Sequence, residues 1–206
     1  MIDCTALAAV GTAFFVVAAS PGPGNLASAS VSMAHGRRIG LTFAAGLASG
    51  LIFWGFLAAM GMGAILQSSA TALFVLKLLG GAYLLWLALQ SGRRSVKRIV
   101  HSSPDAAAGR WYVRGLILNL SNPKAVLAWM AAFSVGLDTE NGSGTLIAAM
   151  GLCITITILN ATFWAMLFSV KGMMTAYRKA QRRVDAVVSG LLAVAGASMI
   201  RSAFAR

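Results

Sequence analysis

A chain of 206 residues that is 58% hydrophobic and only 11% charged has too few polar side chains to face water on all sides, since soluble domains carry roughly a quarter charged residues. Its mean hydropathy of +0.78 excludes an ordinary soluble domain, and at about 20 apolar residues per crossing the length accommodates roughly six helices and little else. The formal net charge of +12 would point to nucleic acid in a soluble chain, but here the basic residues lie between apolar runs, which makes them signals of membrane topology instead.

In chain order, the apolar runs cover about 4–34, 40–66, 69–91, 112–136, 144–170 and 184–204, and predict an all-α membrane protein with six transmembrane helices. The opening MIDCTALAAV has neither a basic region nor a small-residue cleavage site, so the first run is expected to remain in the mature protein. Cys4 and Cys153 stand in different runs without CxxC spacing and read as buried thiols; no metal site or cofactor is expected. The stretch from Ser91 to Arg110, with Pro104 and six basic residues counted through Arg114, reads as a solvated surface loop in preference to a headgroup-binding segment.

Two runs carry prolines in their interior, in Ser20-Pro-Gly-Pro-Gly-Asn25 and in Asn119-Leu-Ser-Asn-Pro-Lys-Ala125. Proline removes a backbone donor and clashes with the preceding turn, so helices 1 and 4 are predicted to be broken there. Freed carbonyls and amides are costly in hydrocarbon unless protein, water or ligand satisfies them, so each break is expected to face a cavity. A simple proline kink is the plainer alternative. Aligning Pro23 with Pro123 gives two halves, about 1–91 and 112–206, joined by a basic loop at about 92–111. Three spans per half force opposite orientations, which predicts two inverted three-helix repeats in one transmembrane domain over 1–206.

Lysine and arginine are kept out of translocated loops. Arg37 and Arg38 follow the first run; Arg93, Arg94, Lys97, Arg98, Arg110 and Arg114 follow the third; Lys171, Arg178, Lys179, Arg182 and Arg183 follow the fifth. These are thirteen of the 17 basic residues, and they place both termini outside, although Arg201 and Arg206 run against the rule.

Lys77 and Lys124 are the charges read as lying within spans, where charge is expensive and usually functional. Lys124, beside the second break, can hold a carboxylate together with the amide ends of a half-helix. Lys77 can equally snorkel to the interface. Asn25, Asn119 and Asn122 at the breaks and Asn160 in the fifth run offer donors and acceptors, with interhelical glue as the plainer role. Gly40, Gly46, Gly50, Gly55, Gly80 and Gly81 read as close-packing positions. Trp111 and Tyr112 read as interfacial anchors, while Trp54, Trp86, Trp129 and Trp164 are left as anchors or pocket walls. His35 reads as an ordinary interfacial histidine. Apart from Asp3, no acid is read inside a span, which disfavours a carboxylate proton relay and a cationic substrate. No Walker loop or GxSxG elbow occurs, and neither Ser20 nor Ser121 is paired with a base by any signature, so no catalytic residues are expected.

The proline motif with its asparagine, the glycine-spaced second run, Lys77-Leu-Leu-Gly80-Gly-Ala-Tyr83-Leu, and Gly115 followed by Asn119 and Asn122-Pro-Lys-Ala125 together resemble the LysE/RhtB family of amino-acid exporters. The resemblance covers nearly the whole chain. It implies export of amino acids from a bacterial cytoplasm, linked to the proton motive force, with Pro21, Pro23, Asn25, Asn122, Pro123 and Lys124 in the transport path. Asn119 joins them from the reading of the breaks, and Lys77, Tyr83 and Asn160 are further path candidates. The chain departs from the family in the extra glycine before Asn25, and it has Ser49 and Gly50 where the lysine- and arginine-exporting branch carries an acid. The neutral branch, with threonine-, homoserine- or leucine-type substrates, is therefore expected.

The expected partners are an amino acid, the lipid bilayer and a second copy of the chain as a homodimer, with no nucleic acid. A passive channel for small polar metabolites is the alternative. A reporter fused after Arg206 is expected outside the cytoplasm; cytoplasmic reporter activity would mean that one of the six runs does not cross.

Overall fold

The computed structural model describes residues 3–68, 70–96, 110–136 and 143–204, all of whose regular structure is helical. The helices are α1 (Cys4–Ala19), α2 (Pro23–Ser68), α3 (Ala70–Val96), α4 (Trp111–Leu120), α5 (Pro123–Gly136), α6 (Ser143–Leu167) and α7 (Met173–Phe204). Asp3 caps α1, its carboxylate accepting from the amides of Thr5 at 2.8 Å and Ala6 at 3.1 Å. Both proline motifs interrupt helix as their chemistry requires. α1 stops at Ala19 and α2 starts at Pro23; α4 stops at Leu120 and α5 starts at Pro123, where a missing amide hydrogen costs nothing because a first-turn amide has no partner inside the helix. The second break turns the chain by 72°.

Among the described residues two stretches, Pro23–Gly61 and Gly144–Leu167, are long and apolar enough to cross a bilayer, and a third joins them if α4 and α5 count as one bent span. α1, at 16 residues, is about 24 Å long and falls short of a hydrocarbon core of about 30 Å by itself. Among the described residues, large apolar side chains are exposed on α1, α2, α3, α4, α6 and α7, Ile147 and Val194 each being 71% exposed, as an exterior solvated by lipid requires.

The break expected between the first and second apolar runs falls at Gly36, whose φ of 80° and ψ of 175° are not helical and would strain an L side chain; α2 is therefore two helical arms folded against each other, Val31 packing on Phe43 and Leu47. The boundaries differ from the sequence reading in two places. Ser91–Val96, read as loop, are the last turns of α3, whereas Lys97–Gly109 lie outside the described residues. The basic segment before the sixth run is helical from Met173, so Arg178, Lys179, Arg182 and Arg183 lie on α7. Lysine and arginine are good helix formers, and the charge rule sorts sides of a membrane without regard to backbone conformation.

Packing depends on glycine. Cβ atoms added to Gly46 or Gly115 would run into the carbonyl oxygens of Tyr112 and Phe43, and one on Gly50 would lie 3.0 Å from Leu116 O. α2 and α4 therefore meet backbone to backbone. α3 and α7 do likewise, an added Cβ on Gly196 falling 2.9 Å from Gly81 O. Trp129, fully buried, packs against Phe14 and Phe133 with ring centroids at 4.6 and 5.3 Å, and Trp164 stacks on Phe168 at 5.1 Å. Both indoles are thus core residues, neither anchors nor pocket walls. Cys153 is buried as expected, whereas Cys4 is exposed on the first turn of α1. Gly46→Val should force α2 and α4 apart and cost about 1–3 kcal/mol. The drop in thermal midpoint in detergent checks this against Gly151→Ala, whose added Cβ meets open space.

Candidate functional site

A helix leaves its last four carbonyls without internal partners, and at the end of α1 nearly all of these are accounted for. Val16 O accepts from the Ser20 amide at 3.2 Å, and Val17 O from Ser20 Oγ at 2.6 Å. Ala18 O accepts from Asn25 Nδ2 at 2.7 Å and from Asn160 Nδ2 at 3.2 Å. Ser20 O, just past the end of α1, accepts from Asn25 Nδ2 at 3.1 Å and from Lys124 Nζ at 3.0 Å, and Lys124 Nζ also donates to Ser20 Oγ at 2.6 Å. The ammonium therefore sits at the carbonyl end of α1, where the helix dipole favours a cation. Gly22 makes room for it: a Cβ there would lie 2.9 Å from Nζ.

The second break is tied down by different groups. Asn119 Nδ2 donates to Leu47 O at 2.6 Å, Asn122 Nδ2 to Asn119 Oδ1 at 3.3 Å, and Trp54 Nε1 to Leu120 O at 3.2 Å. Asn122 Oδ1 accepts from the Lys124 amide at 3.1 Å and so caps α5. Asn160 Nδ2 reaches Asn25 Oδ1 at 3.3 Å.

Between the breaks lies a cavity of about 60 Å³ whose lining includes Asn25, Asn119, Asn122, Lys124 and Asn160, closed by Phe14, Leu47 and Leu51. One water needs about 10–15 Å³ by such a measure, so the space suits a few waters or a very small solute. Residues 25, 119, 122, 124 and 160 thus converge from α2, both sides of the second break and α6. Pro21 and Pro23 do not line this cavity; they border a neighbouring one, together with Ser20 and Lys124. Pro123 opens α5, and Lys77 and Tyr83 belong to α3, but the side chains of these three lie outside the described residues.

Sequence reasoning passed over two polar groups. Ser28 lines the cavity, is 1% exposed, and its hydroxyl has no hydrogen-bond partner among the described residues; a serine on a membrane helix carries no distinguishing pattern. Asp185, at the head of the sixth apolar run, is an acid inside a span and is buried against α3, where Ser91 Oγ donates to its carbonyl at 3.0 Å. The expectation that no acid other than Asp3 enters a span is therefore wrong; five acids in 206 residues made the exception easy to miss. His35, beside the Gly36 kink, packs its ring on Trp111 at 4.6 Å, and Arg114 covers the same indole at 5.0 Å. Tyr112 donates to Ser49 Oγ at 2.9 Å.

The profile of the family described as LysE type translocator matches residues 15–203. The chain is 30% identical over 184 residues to an uncharacterized membrane protein, YahN, of Escherichia coli (strain K12), covering 88% of this chain and 82% of that protein. It is 27% identical to the threonine efflux protein of the same strain, over 94% of this chain and 96% of the relative. To the leucine efflux protein of Enterobacter sp. (strain 638) it is 29% identical, over 87% and 85%. No solved structure matches it.

Asn119→Leu should leave a buried carbonyl and the Asn122 amide short of a partner and cost about 1–3 kcal/mol. The detergent melting curve reads this directly, and an unchanged midpoint would remove Asn119 from the group that holds the break.

Proposed function

The chain belongs to the LysE type translocator family, and we propose that it is a secondary exporter of neutral amino acids in the bacterial inner membrane, driven by the proton motive force. In this reading six spans in two inverted repeats, over about 1–91 and 112–206, cross the bilayer with both termini outside. The observation that carries the reading is the ammonium of Lys124 held between two broken helices at a cavity lined by four asparagines. The names of the threonine and leucine efflux relatives support amino acids as the substrate class.

The site offers matching partners to both ends of a zwitterion. A substrate carboxylate competes with Ser20 for the Lys124 ammonium, and the α-ammonium takes the carbonyls of Ala18 and Ser20 that Asn25 and Asn160 otherwise cover. Free carbonyls at a helix end favour a cation, and charge-assisted bonds of this kind are the strong ones. Among the described residues no carboxylate lines the cavity, which favours a neutral side chain over a lysine or arginine side chain. Rocking of the two halves about this point would expose it to one side and then the other.

The test is amino-acid efflux from proteoliposomes loaded with single amino acids, with and without an imposed proton gradient. Flux that responds to the gradient is expected, whereas flux indifferent to it favours a passive facilitator. Lys124→Ala removes charged hydrogen bonds worth about 1.5–3 kcal/mol and should lower efflux about 10- to 100-fold. Wild-type rates in that variant, with the protein correctly folded, would displace the site.

A further inference from the structure

The first break has a second face. A cavity of about 170 Å³, larger than the one between the asparagines, is bounded by Ser20 and Pro21, by Trp86 and Gln90 of α3, and by Val188 and Leu192 of α7. The two cavities share three residues, Gly22, Asn122 and Lys124. Among the described residues α3 and α7 contribute nothing to the lining of the first cavity, whereas both line the second. Building on the exporter reading, we propose that the second cavity is a second station for the transported zwitterion, and that the Lys124–Ser20 contact is the gate between the two.

Three observations support this. Lys124 is the one charged group, among the described residues, in either lining, and it belongs to both. Its ammonium ends a flexible four-carbon stem, so a carboxylate bound to it in one cavity can follow it into the other without leaving its counter-ion. Gly22, also common to both linings, leaves open the space through which the stem would move, since an added Cβ lies 3.3 Å from Lys124 Cδ and 2.9 Å from Nζ. The second lining combines amide, hydroxyl and indole groups at Gln90, Ser91 and Trp86 with the apolar Leu87, Val188 and Leu192. Among the described residues it offers no carboxylate, so it takes the same neutral class of solute and not a cationic one. At roughly 10–15 Å³ per water, its volume accommodates a small amino acid with less displacement of protein than the first cavity requires.

The experiment uses full-length protein in nanodiscs with Cys4→Ser, Cys153 being buried. A thiol is placed in the second cavity by Gln90→Cys or, separately, in the first by Ala48→Cys, and its alkylation by a small methanethiosulfonate is timed with and without L-threonine, L-homoserine or L-leucine. One of these amino acids is expected to slow labelling at both positions, about tenfold at a concentration about ten times its Kd. Protection at position 48 without protection at position 90 overturns the second station and leaves the exporter reading standing. Protection at neither, by any of the three, counts against both. Val188→Phe, which fills the second cavity from α7, should lower efflux at least about tenfold while position 48 stays protected. Wild-type efflux from that filled variant would also overturn the proposal.

Discussion

The interaction on which the rest depends is the satisfaction of the carbonyl groups at the end of α1. A proline motif in an apolar run strands polar backbone where water is scarce, and each stranded group costs kilocalories unless something donates to it. Here the donors arrive from four places: the backbone and hydroxyl of Ser20, the amide of Asn25 just beyond the break, Asn160 of α6, and Lys124 of α5. The long-range members tie α1 to helices more than a hundred residues away. The break is thus at once the weakest point of the helix and the point at which distant parts of the chain are joined.

The glycine contacts make that convergence possible. Gly46, Gly50 and Gly115 bring α2 and α4 together without intervening side chains, which carries Asn119 close enough to Leu47 O to bond at 2.6 Å. The gate and both cavities lie where the two breaks meet. Close packing and polar satisfaction are therefore one arrangement, since a bulkier seam would pull Asn119 off Leu47 O.

Much of this was legible in the sequence, for reasons that can be named. Proline next to glycine and asparagine within apolar surroundings marks a break wherever it occurs, and both breaks fall where the motifs stand. The lysine beside the second motif is conspicuous because charge is rare in such runs. What it touches was not legible, because Ser20 is 104 residues away and nothing local encodes the pairing. That a single residue, Gly36, makes the turn between the two arms of α2 was not legible, because Arg37 and Arg38 signal an interface without fixing the backbone. Ser28 and Asp185 escaped because a hydroxyl, or a single acid at the edge of a run, becomes informative only when its burial is known.

A site whose polar groups already bond to one another behaves as though it carried a built-in ligand. An incoming amino acid must displace Ser20 from Lys124 and the asparagines from the carbonyls, so its affinity is the difference between two similar sets of bonds, and it will be modest. On the proposed reading that suits an overflow valve. A tight site facing the cytoplasm would drain the metabolite at every concentration, whereas a self-occupied one stays shut until the internal pool is high enough to outcompete the protein's own side chains.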